Sequence, residues 1–257
     1  MTEQQPAARR AGAVAYAAQG LCFAALVTRI PTVQTTFSLD DGELALLLGL
    51  VPIVAGIGSI VAGYALSRVG NAAVLRILGP LTPIALVCVG LSSTMPTLVA
   101  SLALIGFALG AVDAAMNAHA SAVELTYRRS LMGSFFAVFS LAGILGAALA
   151  AVAAGTSLSL AAFFGVIAIV VIPVQLLVGP RLLKGRVEVT GKVDDVSPEH
   201  PSHDRVHVPW KPIVIIGIAL TCVYIADSAA SNWSAVYRPR ASSPRSRSPR
   251  SPMRPTH

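Results

Sequence analysis

Charge is scarce in this sequence. Asp, Glu, Lys and Arg together make up 12% of 257 residues, against 54% hydrophobic residues, and the mean hydropathy is +0.71. One packed soluble core cannot absorb that much apolar surface, so the composition excludes a soluble globular domain and points to an all-helical integral membrane protein. Cysteine is also rare. Cys22, Cys88 and Cys222 are odd in number, far apart and each set inside an apolar run, which excludes a disulfide framework and reads as small core hydrophobes. No second His, Cys or acid stands at metal-ligand spacing from His119, which is expected to be solvated at a helix end and without a role. No metal and no cofactor are expected.

Acids are the scarcer charge, leaving a formal net charge of +7 and a pI near 9.8. Such a balance can mark a nucleic-acid binder, but the basic residues lie in short connections, one long loop and the C-terminal tail. That distribution fits membrane topology, and no nucleic-acid partner is expected.

The chain divides by composition. Residues 1–10 are polar and end in Arg9 and Arg10, without the further residues of a twin-arginine signal. Six apolar runs fill 11–180: about 11–30, 44–66, 74–91, 97–118, 131–153 and 158–178, each matched to the ~30 Å hydrocarbon layer. Pro31 is expected to stop the first helix, and Pro80 and Pro83 to kink the third. Ser140, Gly143 and Ala147 form a small-residue stripe suited to close packing of the fifth run. Residues 181–211 are charged, with Pro198, Pro201 and three histidines, and read as a linker. An apolar stretch over 212–237 makes a seventh span, containing Asp227 and Asn232 and ending at Trp233 and Tyr237, rings suited to the aromatic belt. After it, 238–257 collapses into Arg, Ser and Pro, a composition expected to be disordered.

Of the 19 Lys and Arg, twelve precede span one or lie between spans two and three, four and five, or six and seven; Arg29 alone lies between the other pairs. The bias places the N-terminus and central loop in the cytoplasm of a multi-pass protein of the cell membrane. The remaining six arginines are in the tail, on the wrong side of an odd seventh span. That misplacement, with the abrupt change of composition, leads to the expectation that the chain is truncated or frame-shifted after span seven.

The chemistry gathers in residues 106–147. Gly106, Gly110, Asp113 and Asn117 stand at offsets of four, three and four, one stripe on a helix of 3.6 residues per turn. In lipid that stripe must face protein or a water-filled cavity. A carboxylate at membrane depth costs at least a few kcal/mol, and such residues commonly mark ion or substrate pathways. Alternatively, Asp113 lies near the helix end and snorkels to the headgroups.

Glycine-rich helix, acid, Asn four residues on, then Glu124, Arg128 and Arg129 before a Ser/Gly/Ala-rich helix: this order resembles the fourth and fifth spans of the major facilitator superfamily. Among its branches the chain is most similar to bacterial fucose-permease-like carriers. A second motif is Gly63, Ser67, Arg68 and Gly70, which resembles the superfamily's loop signature of glycine, acid, base and glycine, with Ser67 in the acid's place and Asn71 in that of a later base. The resemblance covers roughly residues 11–237 and implies a complete six-helix first half plus one helix of the second, with solute bound near the midplane between halves. It implies Asp113 as a proton-coupling group; Gln19, Asn117, Asp227 and Asn232 as cavity residues; and 63–70 as a gating loop. The implied activity is secondary active transport of a sugar or related polar solute with protons, by alternating access, and not an enzyme. Its partners would be the solute, protons, the bilayer and another half-transporter. Two features depart from the pattern. The first helix has no acid, where fucose permeases have one, and span five lacks the glycine-proline signature of many antiporters.

Two readings of other classes stand beside this one. Asp113 and Asp227 could form the dyad of a membrane aspartyl protease, although their contexts, AVD and IAD, lack the Tyr and Gly-x-Gly of such enzymes. An inactive remnant or helical scaffold is the other.

The topology is directly testable by labelling single cysteines from outside, on a cysteine-free background. A cysteine at Ser38 should react and one at Ser197 should not; the opposite pattern reverses the assignment.

Overall fold

The computed structural model describes residues 4–156, 158–182 and the positions 214, 215, 217–219, 222, 223 and 226. It divides into two units, Met1–Pro198 and Glu199–His257. In the second unit the described positions are helical, and Val214, Ile215, Ile218 and Val223 are exposed. Asp227, Asn232, Trp233, Tyr237, the central loop beyond 182 and the tail lie outside the described residues.

The first unit is built of helices: α1 (Gln4–Phe37), α2 (Asp41–Val69), α3 (Asn71–Leu78), α4 (Leu81–Leu91), α5 (Met95–Tyr127), α6 (Met132–Ala154) and α7 (Leu160–Val178), closed by a 3-10 turn at Gly179–Arg181. Taking α3 and α4 as one broken stretch, six of these are long and apolar enough to cross a membrane. They are the six spans read from the apolar runs, but several extend well past them. α1 has 34 residues and α5 has 33, about 50 Å each at 1.5 Å per residue, so their ends project beyond the hydrocarbon layer.

Pro31 does not end the first helix, which runs on to Phe37 with the proline inside it. The helix thus absorbs one lost backbone hydrogen bond, as proline inside membrane helices can. The acids of the following link act as helix starters. Asp40 accepts from the Glu43 amide at 2.7 Å while the Glu43 carboxylate accepts from the Asp40 amide at 3.1 Å, a reciprocal capping box for α2. At the other end of the bundle, residues 119–127, beyond the apolar run 97–118, are still helix. Glu124 Oε1 accepts from the Leu131 and Met132 amides at 2.5 and 2.6 Å, so the acid after the polar stripe closes the N-terminus of α6. The third span is interrupted at one of the two expected places, between α3 and α4 at Gly79 and Pro80; Pro83 sits in the first turn of α4, where its missing amide hydrogen costs no helix bond.

Two close pairs carry the packing: α2 lies along α5, and α1 along α6. Both are backbone contacts made possible by glycine. A Cβ at Gly110 of α5 would fall on the Ala55 carbonyl of α2, and one at Gly146 of α6 on the backbone of Leu21 in α1. Lipid gives no hydrophobic drive between helices, so such close approach is the main source of association. The stripe read on α6 holds in part: Gly143 lies against α1 and Ala147 is half-buried, but the closest approach is one residue over, at Gly146. Gly146 and Ala150 are buried, Gly143 makes ordinary contact with α1, and Ser140 is exposed. Of the cysteines, Cys22 is buried, Cys88 partly so, and Cys222 is exposed, which corrects the reading of all three as core residues. Rows of large apolar side chains on α2 (Leu46, Ile53, Ile60) and α6 (Leu141, Ile144, Val152) face outward.

Gly110→Ala should therefore force α2 and α5 apart, lowering stability by about 1–3 kcal/mol. Gly165→Ala, where nothing lies within 4 Å, should raise it by about 0.5–1 kcal/mol through helix propensity alone. Thermal unfolding of the two variants in detergent checks both signs.

Candidate functional site

The polar residues of α1 and α5 meet in antiparallel order: Tyr16 pairs with Asn117, and Gln19 with Asp113. On α1 the two are three residues apart, on α5 four, so each pair shares a helix face. The Gln19 amide nitrogen lies 3.3 Å from the Leu109 carbonyl and 3.2 Å from Asp113 Oδ1, donating to both. From α4, the Thr82 hydroxyl donates to Gln19 Oε1 at 3.2 Å. One turn away, the Tyr16 hydroxyl donates to Asn117 Oδ1 at 2.6 Å and lies 3.8 Å from the Met132 sulfur of α6. The Tyr16 ring stacks on Phe135 at 5.2 Å and meets Phe136 edge-on at 5.6 Å.

Burial separates the members. Tyr16, Gln19 and Thr82 are 0%, 2% and 1% exposed, whereas Asp113 and Asn117 are half-buried. The closed side of the cluster is thus fully paired within protein, as burial of polar groups requires. Its open side presents a carboxylate and an amide one helical turn apart. Asp113 sits in the middle of α5, away from either end. The glycines of the same stripe do other work, turning against α2 while Asp113 and Asn117 turn toward α1.

Sequence reasoning brought together Gln19, Asp113 and Asn117 and missed Tyr16 and Thr82. Tyr16 had a signal, being one turn from Gln19 on the same face. Thr82 had none beyond its place between two prolines. The expected loop 63–70 is not a loop: Gly63, Ser67 and Arg68 belong to the last turns of α2, and Gly70 alone is the turn, with φ of 82° between α2 and α3. A Cβ at Gly63 would meet nothing within 4 Å. Ser67 donates to the Tyr64 carbonyl of its own helix at 2.8 Å, and the Arg68 guanidinium lies 4.4 Å from the Tyr64 ring centroid. Asn71 is fully buried and donates to the Ala118 carbonyl at 3.4 Å, tying α3 to α5.

His119, expected to be solvated, is fully buried, with Nε2 3.2 Å from the Ala8 carbonyl. A carbonyl only accepts, so Nε2 carries the hydrogen, and the ring pins the start of α1 to α5. A separate small cavity of about 20 Å³ lies between α1, α3 and α7, lined in part by Arg76 and Gln175. It has room for about one water molecule and no solute. Beside it, Arg76 Nε donates to the Gly179 carbonyl at 2.7 Å.

Helices that cross a membrane, packed through glycine and enclosing a polar cluster with an open acid, define a multi-span membrane protein with an internal polar site. Residues 12–243 match the family model of the Major Facilitator Superfamily, and the chain belongs to that family, one of transporters rather than enzymes. It is 30% identical over 231 residues to an uncharacterized MFS-type transporter of Yersinia pestis, covering 87% of this chain and 56% of that protein. An uncharacterized transporter of Sinorhizobium fredii is 27% identical over 89% of this chain and 58% of its own length. The membrane protein MosC of Rhizobium meliloti is 35% identical over 105 residues, 41% of this chain and 26% of that protein. The chain spans little more than half the length of the first two.

The Tyr16 hydroxyl can be isolated from the ring that carries it. Tyr16→Phe keeps the aromatic stack and leaves Asn117 Oδ1 without its donor, and should cost about 0.5–1.5 kcal/mol in detergent unfolding.

Proposed function

We propose that this chain is the first half of a secondary active carrier that moves a small polar solute, a sugar or related metabolite, together with protons. The observation that carries the reading is the half-buried carboxylate of Asp113, held by Gln19 inside a bundle of apolar helices. An acid at that depth is costly, and a proton that comes and goes with the solute gives it a use. Asn117 supplies an amide one turn along, able to hold a solute hydroxyl beside the acid. Gln19 forms the closed wall, and Asp227 and Asn232 stay cavity residues by family resemblance alone.

The orientation proposed from the charge bias puts the N-terminus in the cytoplasm. The Glu124-capped turn and the α2–α3 turn at Gly70 then lie on the cytoplasmic side, where a gate would operate. The outward apolar rows of α2 and α6 are surfaces for lipid and for a second half-transporter, with which alternating access would be completed. The alternative of an inactive remnant predicts no solute movement from any pairing of this chain with a second half.

Asp113→Asn should mimic the protonated acid. In proteoliposomes it should keep solute exchange at close to native rate and lose accumulation driven by a proton gradient entirely. Accumulation by the variant at the native rate rules out the coupling role.

A further inference from the structure

The amide of Gln19 has only one workable orientation. Its nitrogen faces the Leu109 carbonyl and Asp113 Oδ1, both acceptors, while its oxygen faces the Thr82 hydroxyl. Reversed, the amide oxygen would oppose two acceptors at 3.3 and 3.2 Å. Three of the amide's four hydrogen-bonding positions are thereby used. The nitrogen spends its two hydrogens, and the oxygen takes the hydrogen of a threonine that is 1% exposed.

The consequence lies at the acid. Asp113 Oδ1 is held as an acceptor by Gln19 in either protonation state, because a protonated carboxyl still accepts at its carbonyl oxygen. Oδ2 is then the oxygen that takes up and releases the hydrogen. We infer that Thr82 is a positioning residue of the proton site: through the Gln19 amide, α4 fixes which oxygen of Asp113 is held and which is left to exchange its proton.

Thr82 reaches Gln19 because the third span is broken. Gly79 and Pro80 separate α3 from α4, and Thr82 follows as the second residue of the new helix, directed at α1. The break thus has a use in the site, and a shift of α4 would move the hydrogen-bond partner of the acid. Tyr16 is the other titratable group of the cluster, and its hydroxyl is committed to Asn117.

This inference rests on Asp113 exchanging a proton, and the test separates the two. The purified chain in lipid vesicles is examined by infrared difference spectroscopy between acidic and alkaline pH, with Asp113→Asn identifying the carboxyl carbonyl band. A carbonyl that accepts a hydrogen bond absorbs at lower wavenumber. Thr82→Val should therefore shift the Asp113 band upward, Gln19→Leu should shift it likewise, the double variant should shift it no further than Gln19→Leu, and Thr82→Ser should leave it at the native position. Helix content by circular dichroism checks each fold; if Thr82→Val does not fold, Thr82→Cys, a weaker donor, should give a smaller upward shift. A native band position in Thr82→Val or its replacement overturns the positioning role. Absence of any Asp113 band in the unaltered chain overturns the proton site itself, and the inference with it.

Discussion

The fold depends on two helices touching backbone to backbone. Where Gly110 of α5 meets the Ala55 carbonyl of α2, no side chain stands between them, and the same happens between α6 and α1 at Gly146. Lipid tails are as apolar as leucine, so burying leucine gains little there, and contact at van der Waals distance must supply the association. Because α5 is drawn against α2 through its glycines, its adjoining edge is turned to α1, and that edge carries Asp113 and Asn117. The tight contact and the polar cluster are two sides of one helix.

The absence of water explains the composition of the cluster. Each buried member is neutral and has a partner: Tyr16 with Asn117, Gln19 with Leu109, Asp113 and Thr82. The one acid stands at the open side, where its charge is least penalised. Among the described residues, the buried Lys, Arg, Asp or Glu is Arg29, 4% exposed, whose guanidinium carbon lies 5.6 Å from the Phe163 ring centroid. A delocalised, weakly hydrated cation against an aromatic face is the form of buried charge a bilayer protein tolerates best.

Much of this was legible in the residues, and the limits have physical causes. The apolar runs announced the six helices because lipid leaves few alternatives to a helix. The stripe from Gly106 to Asn117 announced a face, since the helical period is fixed. It could not announce that the face is shared between two neighbours, because partners are set by tertiary packing. Pro31 was misread because a proline inside a long membrane helix costs one backbone bond without ending it. The α6 stripe was placed one residue away from the closest contact, at Gly146, because its small residues are so numerous that several registers read equally well. Thr82 was invisible, its meaning arising only once a helix break and a glutamine from another helix come together.

The bond between His119 and the Ala8 carbonyl bears on how the chain can be handled. Residues 4–10 are the first turns of α1, and Ala8 and Ala11 are buried there. Trimming them as a dispensable extension would leave an imidazole in the interior with neither nitrogen bonded, since Nδ1 already has no partner. A shortened expression clone or an enzymatic tag-removal site placed within these residues would damage the bundle from its end, whereas a tag joined ahead of Met1 leaves the clasp whole.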